Sequence, residues 1–265
     1  MRVFDLILTK FRQLSLINKF CLINTIALAL LLSWLIPFTR YLWDIIDNNL
    51  FFLLNGSLSL NFYWRFFWAI ANNRLFDLVP AFAILLLFLW WAYRDLRYVQ
   101  REQFTTLIVF LVFMGILRWL FGNITDLLQY HRPSPSLVFP ESAFMLSLHF
   151  PWLNPKDTTF WSFPGDHGYV LLCFMFFFYG YGAGGFRKVA VISLLFFNLP
   201  RMVSGAHWIT DVAVGSMVLA LFTVSFWFFT PLKYFCIPWC TRKLNPVFDV
   251  LFRILPERTN SKGGG

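Results

Sequence analysis

The chain has only four histidines, His131, His149, His167 and His207, and two of them stand among residues suited to phosphoryl chemistry. His207 lies four positions before Asp211 within Pro200-Arg201-Met202-Val203-Ser204-Gly205-Ala206-His207-Trp208-Ile209-Thr210-Asp211. At a helix start that spacing puts both side chains on one face, where the carboxylate can hold the imidazole in one tautomer and stabilise its cation. His167 belongs to Ser162-Phe163-Pro164-Gly165-Asp166-His167-Gly168. There, Gly165 precedes a predicted helix, so backbone N–H groups at its start could receive an anion. A third cluster runs from Tyr130 to Ser136 and contains Arg132. Arg132 and Arg201 offer planar forks that fit phosphate oxygens. Two histidines, two arginines and an aspartate suffice for transfer through a phosphohistidine: one imidazole attacks, the acid orients it, the other imidazole protonates the leaving oxygen. The set needs no metal and no cofactor, and none is expected. The alternative is that each His or Arg merely anchors to lipid headgroups.

These residues must be positioned by a membrane protein. Of 265 residues, 58% are apolar and 13% charged, with 35 Phe and 12 Trp. A soluble domain carries about a quarter charged residues, so a water-facing globule and a disordered chain are both excluded. Apolar runs at 20–38, 78–93, 104–122, 168–186, 189–203 and 211–230 approach the ~20 residues that cross a bilayer, giving an all-α protein of six transmembrane helices. The fourth and fifth are expected to form a hairpin turning at Arg187-Lys188. With a cytoplasmic N-terminus, only Arg40, Arg65, Arg74, Arg118, Arg132, Lys156 and Arg201 fall in or near the outer side; the remaining basic residues lie inside. That bias places both termini in the cytoplasm and all three clusters outside. The net charge of +9 is thereby read as orientation, and no nucleic-acid partner is expected.

The rest of the chain is read as part of one membrane-embedded domain, 1–265. Residues 1–19 form a cytoplasmic amphipathic segment and 233–265 a cytoplasmic basic tail. Residues 44–72, apolar but interrupted by Asp44, Asp47, Asn48, Asn49, Gly56 and Arg65, are expected as short helices in the outer interface. Prolines 133, 135, 140, 151 and 155 forbid a long helix across 123–163. Cys21 and Cys173 sit in apolar runs, and Cys236 with Cys240 are too few for a zinc site. The first apolar run follows Lys19 without a small-residue cleavage site, so no cleavable signal peptide is expected.

The three clusters resemble the motifs of the type 2 phosphatidic acid phosphatase superfamily: Lys-x6-Arg-Pro, Pro-Ser-Gly-His and Ser-Arg-x5-His-x3-Asp. The matching residues are Arg132-Pro133, then Pro164 and His167, then Arg201, His207 and Asp211. The resemblance implies His207 as nucleophile, Asp211 as its partner, His167 as general acid, and Arg132 and Arg201 on phosphate. Departures are Thr125 for the Lys, Gly165-Asp166 for Ser-Gly, and Pro200 for the Ser. The added carboxylate of Asp166 would repel an anionic substrate unless offset; Arg118 could supply the missing positive charge or only snorkel outward.

The altered set is similar to one branch, the lipid A phosphotransferases of Gram-negative bacteria. The similarity extends through Ser162–Gly168, Gly205-Ala206-His207-Trp208, Leu32-Ser33-Trp34, Asn72-Asn73-Arg74 and Phe76-Asp77. By this resemblance the chain moves the terminal phosphate of undecaprenyl diphosphate onto the 1-phosphate of lipid A at the periplasmic face of the inner membrane. An undecaprenyl diphosphate phosphatase would use the same residues, and a lipid carrier or channel would bind headgroups without turnover. Asp166 is a candidate for recognising the acceptor or orienting Arg132 or Arg201. Arg74 and Asp77 are candidates for a lid or an interfacial pair. Phe160 and Trp161 are candidates for excluding water.

Overall fold

The computed structural model describes residues 10–93, 97–127, 131–182 and 184–254. Among these the chain is helical, with one isolated bridge between Asn73 and Pro155. Helix α1 spans Leu16–Leu35 and α2 Pro37–Gly56. The short α3 is Phe62–Ala71, followed by a 3-10 turn, Arg74–Asp77, that leads into α4, Leu78–Tyr93. Helix α5 covers Arg97–Leu127. Single turns α6 (Pro135–Val138) and α7 (Leu146–His149) lie in the proline-rich segment, as its composition requires. Helices α8 (Asp166–Tyr181) and α9 (Gly184–Val203) follow. A six-residue π-helical stretch, Asp211–Ser216, opens onto α10, Met217–Phe229, and α11 is Leu232–Ile254.

Among the described residues, four helical segments are long and apolar enough to cross a membrane: Leu16–Leu35, Arg74–Ala92, Val99–Leu127 and Asp211–Phe229. The two other expected spans are helical but differ. Helix α8 has 16 residues, and α9 carries Arg187, Lys188 and Arg201 within its 20. Their hairpin does not turn at Arg187-Lys188, which sit in the first turns of α9. It turns at the glycines: Gly182 closes α8 by donating to the Phe178 carbonyl at 2.9 Å, because glycine is a poor helix former but a good terminator.

Two other expectations are corrected. The first span ends at Leu35, not at residue 38. Ile36 precedes a proline and is extended (φ −73°, ψ 124°), as steric clash with the ring demands, and Pro37 then starts α2 at its favoured first-turn position. Residues 44–56 are not a set of short helices but most of the continuous α2. Asp47, read as an interruption, belongs to its inward stripe: Asp47, Phe51 and Asn55, spaced by four, are its buried residues. The expected basic tail begins as the 23-residue helix α11, Leu232–Ile254, docked on α5 with Phe248 and Ile237 buried and Asp249 paired to Arg101 at 2.7 Å; its last residues lie outside the described ones.

Helix α10 is the hub, packing on α1, α5 and α8, while α9 packs on α8. Phe88, Phe110, Phe177, Phe178 and Trp227 fill the space between α4, α5, α8 and α10, with ring centroids of Phe88–Phe174 at 4.3 Å and Phe110–Phe177 at 5.0 Å. Outward faces remain apolar, as at Ile17, Phe38 and Phe82. In lipid that surface costs nothing, so close packing rather than hydrophobic exclusion selects the arrangement.

One close approach lies where the second and third clusters meet. A Cβ on Gly168 would stand 2.7 Å from Ser216 Oγ and 2.9 Å from Val212. Gly168→Ala should therefore push α8 from the π-helical stretch and cost about 1–3 kcal/mol. Thermal unfolding in detergent measures this; an unchanged midpoint would contradict the packing described.

Candidate active site

Backbone hydrogen bonds join the three clusters before any side chain acts. Ser162 donates through both N–H and Oγ to the Arg132 carbonyl, at 2.9 and 3.0 Å. Ser134 N–H donates to Thr159, and Ser136 N–H to the Gly205 carbonyl at 3.2 Å. Gly165 N–H donates to the Asp211 carbonyl at 3.0 Å. Gly205 permits its junction by adopting φ +79°, and a Cβ there would stand 3.0 Å from Phe51. Trp34 supports the second cluster by stacking on Phe163, with centroids 4.2 Å apart and planes 5° from parallel.

Helix α9 runs through Pro200 to Val203, and the Arg201 carbonyl accepts the N–H groups of Ala206 and His207 at 3.0 and 3.1 Å. The chain then turns into the next helix at Trp208, whose N–H donates to Asp211 Oδ2 at 2.8 Å. That is the reciprocal half of a capping box, and it leaves the Asp211 carboxylate facing back toward His207.

His207 Nδ1 lies 2.9 Å from the Ser162 carbonyl and 3.2 Å from Asp211 Oδ2. Both partners are acceptors. Nδ1 therefore carries the proton, and in the neutral ring the lone pair is on Nε2. The other Asp211 oxygen, Oδ1, accepts from Arg132 Nη1 at 2.6 Å. Arg132 Nη2 meets a second buried acid, Asp47 Oδ2, also at 2.6 Å. Thr210 closes the ring: its Oγ1 accepts from Arg132 at 2.8 Å and donates to Asp47 Oδ2 at 2.6 Å, and its N–H donates to Asp47 Oδ1 at 3.0 Å. Arg132 also lies over the Trp208 ring at 5.0 Å. Burial pushes the Asp47 carboxyl above its ordinary range, while Arg132 and Thr210 pull it back.

Of the residues expected from sequence, His207, Asp211 and Arg132 are thus brought together. The Arg132 fork, expected on phosphate, has Nη1 and Nη2 engaged by carboxylates. Arg201 is buried, with Nη1 donating to Asn72 Oδ1 at 2.7 Å, and Asn72 in turn holds the Lys156 carbonyl at 2.5 Å. Gly165 N–H is not bare, since it is used on Asp211; as the cap of α8 it leaves the N–H groups that follow it to face an anion. His167 is half-buried in the first turn of α8, in a cavity of about 210 Å³ with Pro80, Ala81 and Ile84. Asp166 pairs with Arg118, at 2.5 Å to Nη2, rather than with Arg132 or Arg201. Arg118 therefore offsets the added carboxylate of Asp166. Arg74 is exposed on its 3-10 turn, whereas the Asp77 side chain and Tyr130 lie outside the described residues. Phe160 and Trp161 are exposed and do not close over the imidazole in this conformation. Among the described residues no three possible metal ligands converge.

Sequence reasoning missed Asp47, Thr210, Asn72 and the Ser162 carbonyl. Asp47 carried a readable signal, namely its four-residue spacing from Phe51 and Asn55 on an otherwise outward-facing helix.

Truncating one partner of a buried pair strands the other, at about 3–5 kcal/mol. Asp47→Ala should therefore lower the unfolding midpoint and the turnover together. Asp47→Asn, which keeps the shape but replaces one accepting oxygen with an NH2 donor, should cost less stability but still depress turnover. Equal behaviour of both variants and wild type would contradict a structural role for the pair.

No protein-family model matches the chain, and no solved structure matches it. One curated relative does: the lipid A 1-diphosphate synthase of Escherichia coli (strain K12) is 35% identical over 214 residues, covering 80% of this chain and 87% of that protein. The aligned length takes in the great majority of both proteins, so the chain belongs to the lipid A 1-diphosphate synthase family.

Proposed function

We propose that the protein transfers a phosphoryl group from undecaprenyl diphosphate to the 1-phosphate of lipid A through a phosphohistidine on His207. The observation that carries this reading is the pinning of Nδ1 between the Ser162 carbonyl and Asp211, which leaves the Nε2 lone pair as the nucleophile. Nε2 attacks the terminal phosphorus, the phosphoanhydride P–O bond breaks, and His167 supplies a proton to the departing undecaprenyl phosphate. An oxygen of the acceptor phosphate then attacks the same phosphorus, the P–N bond breaks, and the electron pair returns to Nε2. Donor and product each contain one phosphoanhydride, so the exchange is near thermoneutral and needs no ATP.

Electrostatics favour the intermediate. Asp47 and Asp211 flank a single Arg132, so the buried ring carries one excess negative charge beside the imidazole, which favours a cationic phosphohistidine. Arg201 is the guanidinium assigned to the phosphoryl oxygens, where stabilisation that grows in the transition state has most effect. In this reading α8 and α9 also cross the bilayer, giving six spans. Both termini are then cytoplasmic and His207 faces the periplasm of a Gram-negative inner membrane.

The decisive experiment supplies the purified protein with undecaprenyl diphosphate labelled in its terminal phosphate, with and without lipid A. The label should move to lipid A, and His207→Ala should lower transfer by at least about three orders of magnitude. Label recovered only as inorganic phosphate would make the protein a phosphatase. Headgroup binding without any turnover would make it a carrier.

A further inference from the structure

Two grooves of similar size flank α5, and their chemistry is opposite. One, of about 600 Å³, is lined by Phe113, Leu117, Phe226, Pro231, Leu232 and Phe235 and suits an acyl chain. The other, of about 660 Å³, is lined by Arg118, Trp119, Asn123, Thr125 and Asp126 of α5 and by Trp161, Phe163 and Pro164 of the segment before α8. An acyl chain has no use for two charges, an amide and a hydroxyl. A phosphorylated sugar has: its hydroxyls bond to the polar side chains, its ring faces lie on indoles, and its phosphate takes the guanidinium. Trp119 and Trp161 present that surface, being 66% and 61% exposed, and the volume is that of an ordinary small-ligand site.

We infer that this polar groove seats a phosphorylated-sugar headgroup, with Arg118 as its phosphate anchor. The assignment rests on the proposed function in taking that headgroup to be the acceptor's.

Arg118 is held in waiting by Asp166, through Nε at 2.6 Å and Nη2 at 2.5 Å. The pair is one-third and two-thirds exposed on its two sides, so it contributes about 0–1 kcal/mol and yields readily to a phosphate. Asp166, once released, stays favourably placed at the N-terminus of α8. The groove and the imidazole share one segment: the Ser162 carbonyl holds Nδ1, whereas the neighbouring Trp161 and Phe163 line the groove.

The test combines binding with kinetics. Saturation-transfer NMR on the detergent-solubilised protein should show the ring protons of glucosamine 1-phosphate in contact with it, and Trp161→Ala or Trp119→Ala should remove that signal. Glucosamine 1-phosphate should inhibit transfer competitively with the acceptor and more strongly than equimolar inorganic phosphate. Arg118→Ala should raise the acceptor KM about tenfold relative to the donor KM, equivalent to about 1.4 kcal/mol, and Arg118→Lys should restore most of it. An absent NMR signal, equal inhibition by sugar phosphate and inorganic phosphate, or equal changes in both KM values would each overturn the assignment. Failure of the proposed function reads differently: wild type then shows no transfer at all, and the NMR experiment decides the groove by itself.

Discussion

One arginine holds the site together. Arg132 is buried between two carboxylates from distant parts of the chain, Asp47 on α2 and Asp211 at the start of the π-helical stretch. A lone guanidinium at that depth would be prohibitively costly, and so would either carboxylate. The three are admissible only together, and the Thr210 N–H satisfies the Asp47 oxygen that the arginine does not reach. This mutual dependence draws α2, the loop after α5 and the C-terminal helices to one point. The imidazole inherits its orientation from that point, because the carboxylate that faces Nδ1 is the one Arg132 fixes.

The helices around it are assembled by a different principle. Their outward faces are as apolar as lipid, so no hydrophobic gain selects one arrangement over another. Selection falls to shape: aromatic rings interlock around Phe88, Phe177 and Trp227, and Gly168 and Gly215 let α8 and the Phe163-Pro164 segment approach the π-helical stretch. The irregular backbone of residues 204–211 is tolerable because its polar groups are matched by the other loops, as Ser136 with Gly205 and Gly165 with Asp211 demonstrate.

Much of this was legible in the sequence, and the reasons it failed elsewhere are physical. The His207–Asp211 spacing, four of the apolar runs and the prolines of 123–163 depend on local rules of helix geometry and chain stiffness, and they read directly. Asp47 did not, because an acid inside an apolar stretch looks like an interfacial break until a buried cation is known to face it. Arg132 was identified as important but assigned to phosphate; nothing in the local sequence reveals that two distant acids occupy its fork. Asp166 was recognised as anomalous, and its partner Arg118 was recognised as a possible cation, yet their pairing is a tertiary fact that relates positions 48 residues apart. The hairpin between α8 and α9 was placed at its charges, whereas helix termination followed the glycines. Local regularities were readable; the pairing of buried charges was not.

The central claim is that the imidazole of His207 forms a transient bond from Nε2 to phosphorus. The most direct measurement is rapid mixing with terminal-phosphate-labelled undecaprenyl diphosphate, an alkaline quench that preserves phosphoramidates, and peptide mapping of the labelled protein. Label should appear on the peptide containing His207, be lost on acid treatment and be chased away by added acceptor. Transfer that proceeds at the normal rate with no label on His207 at any quench time, or with the label on another residue, would contradict the claim.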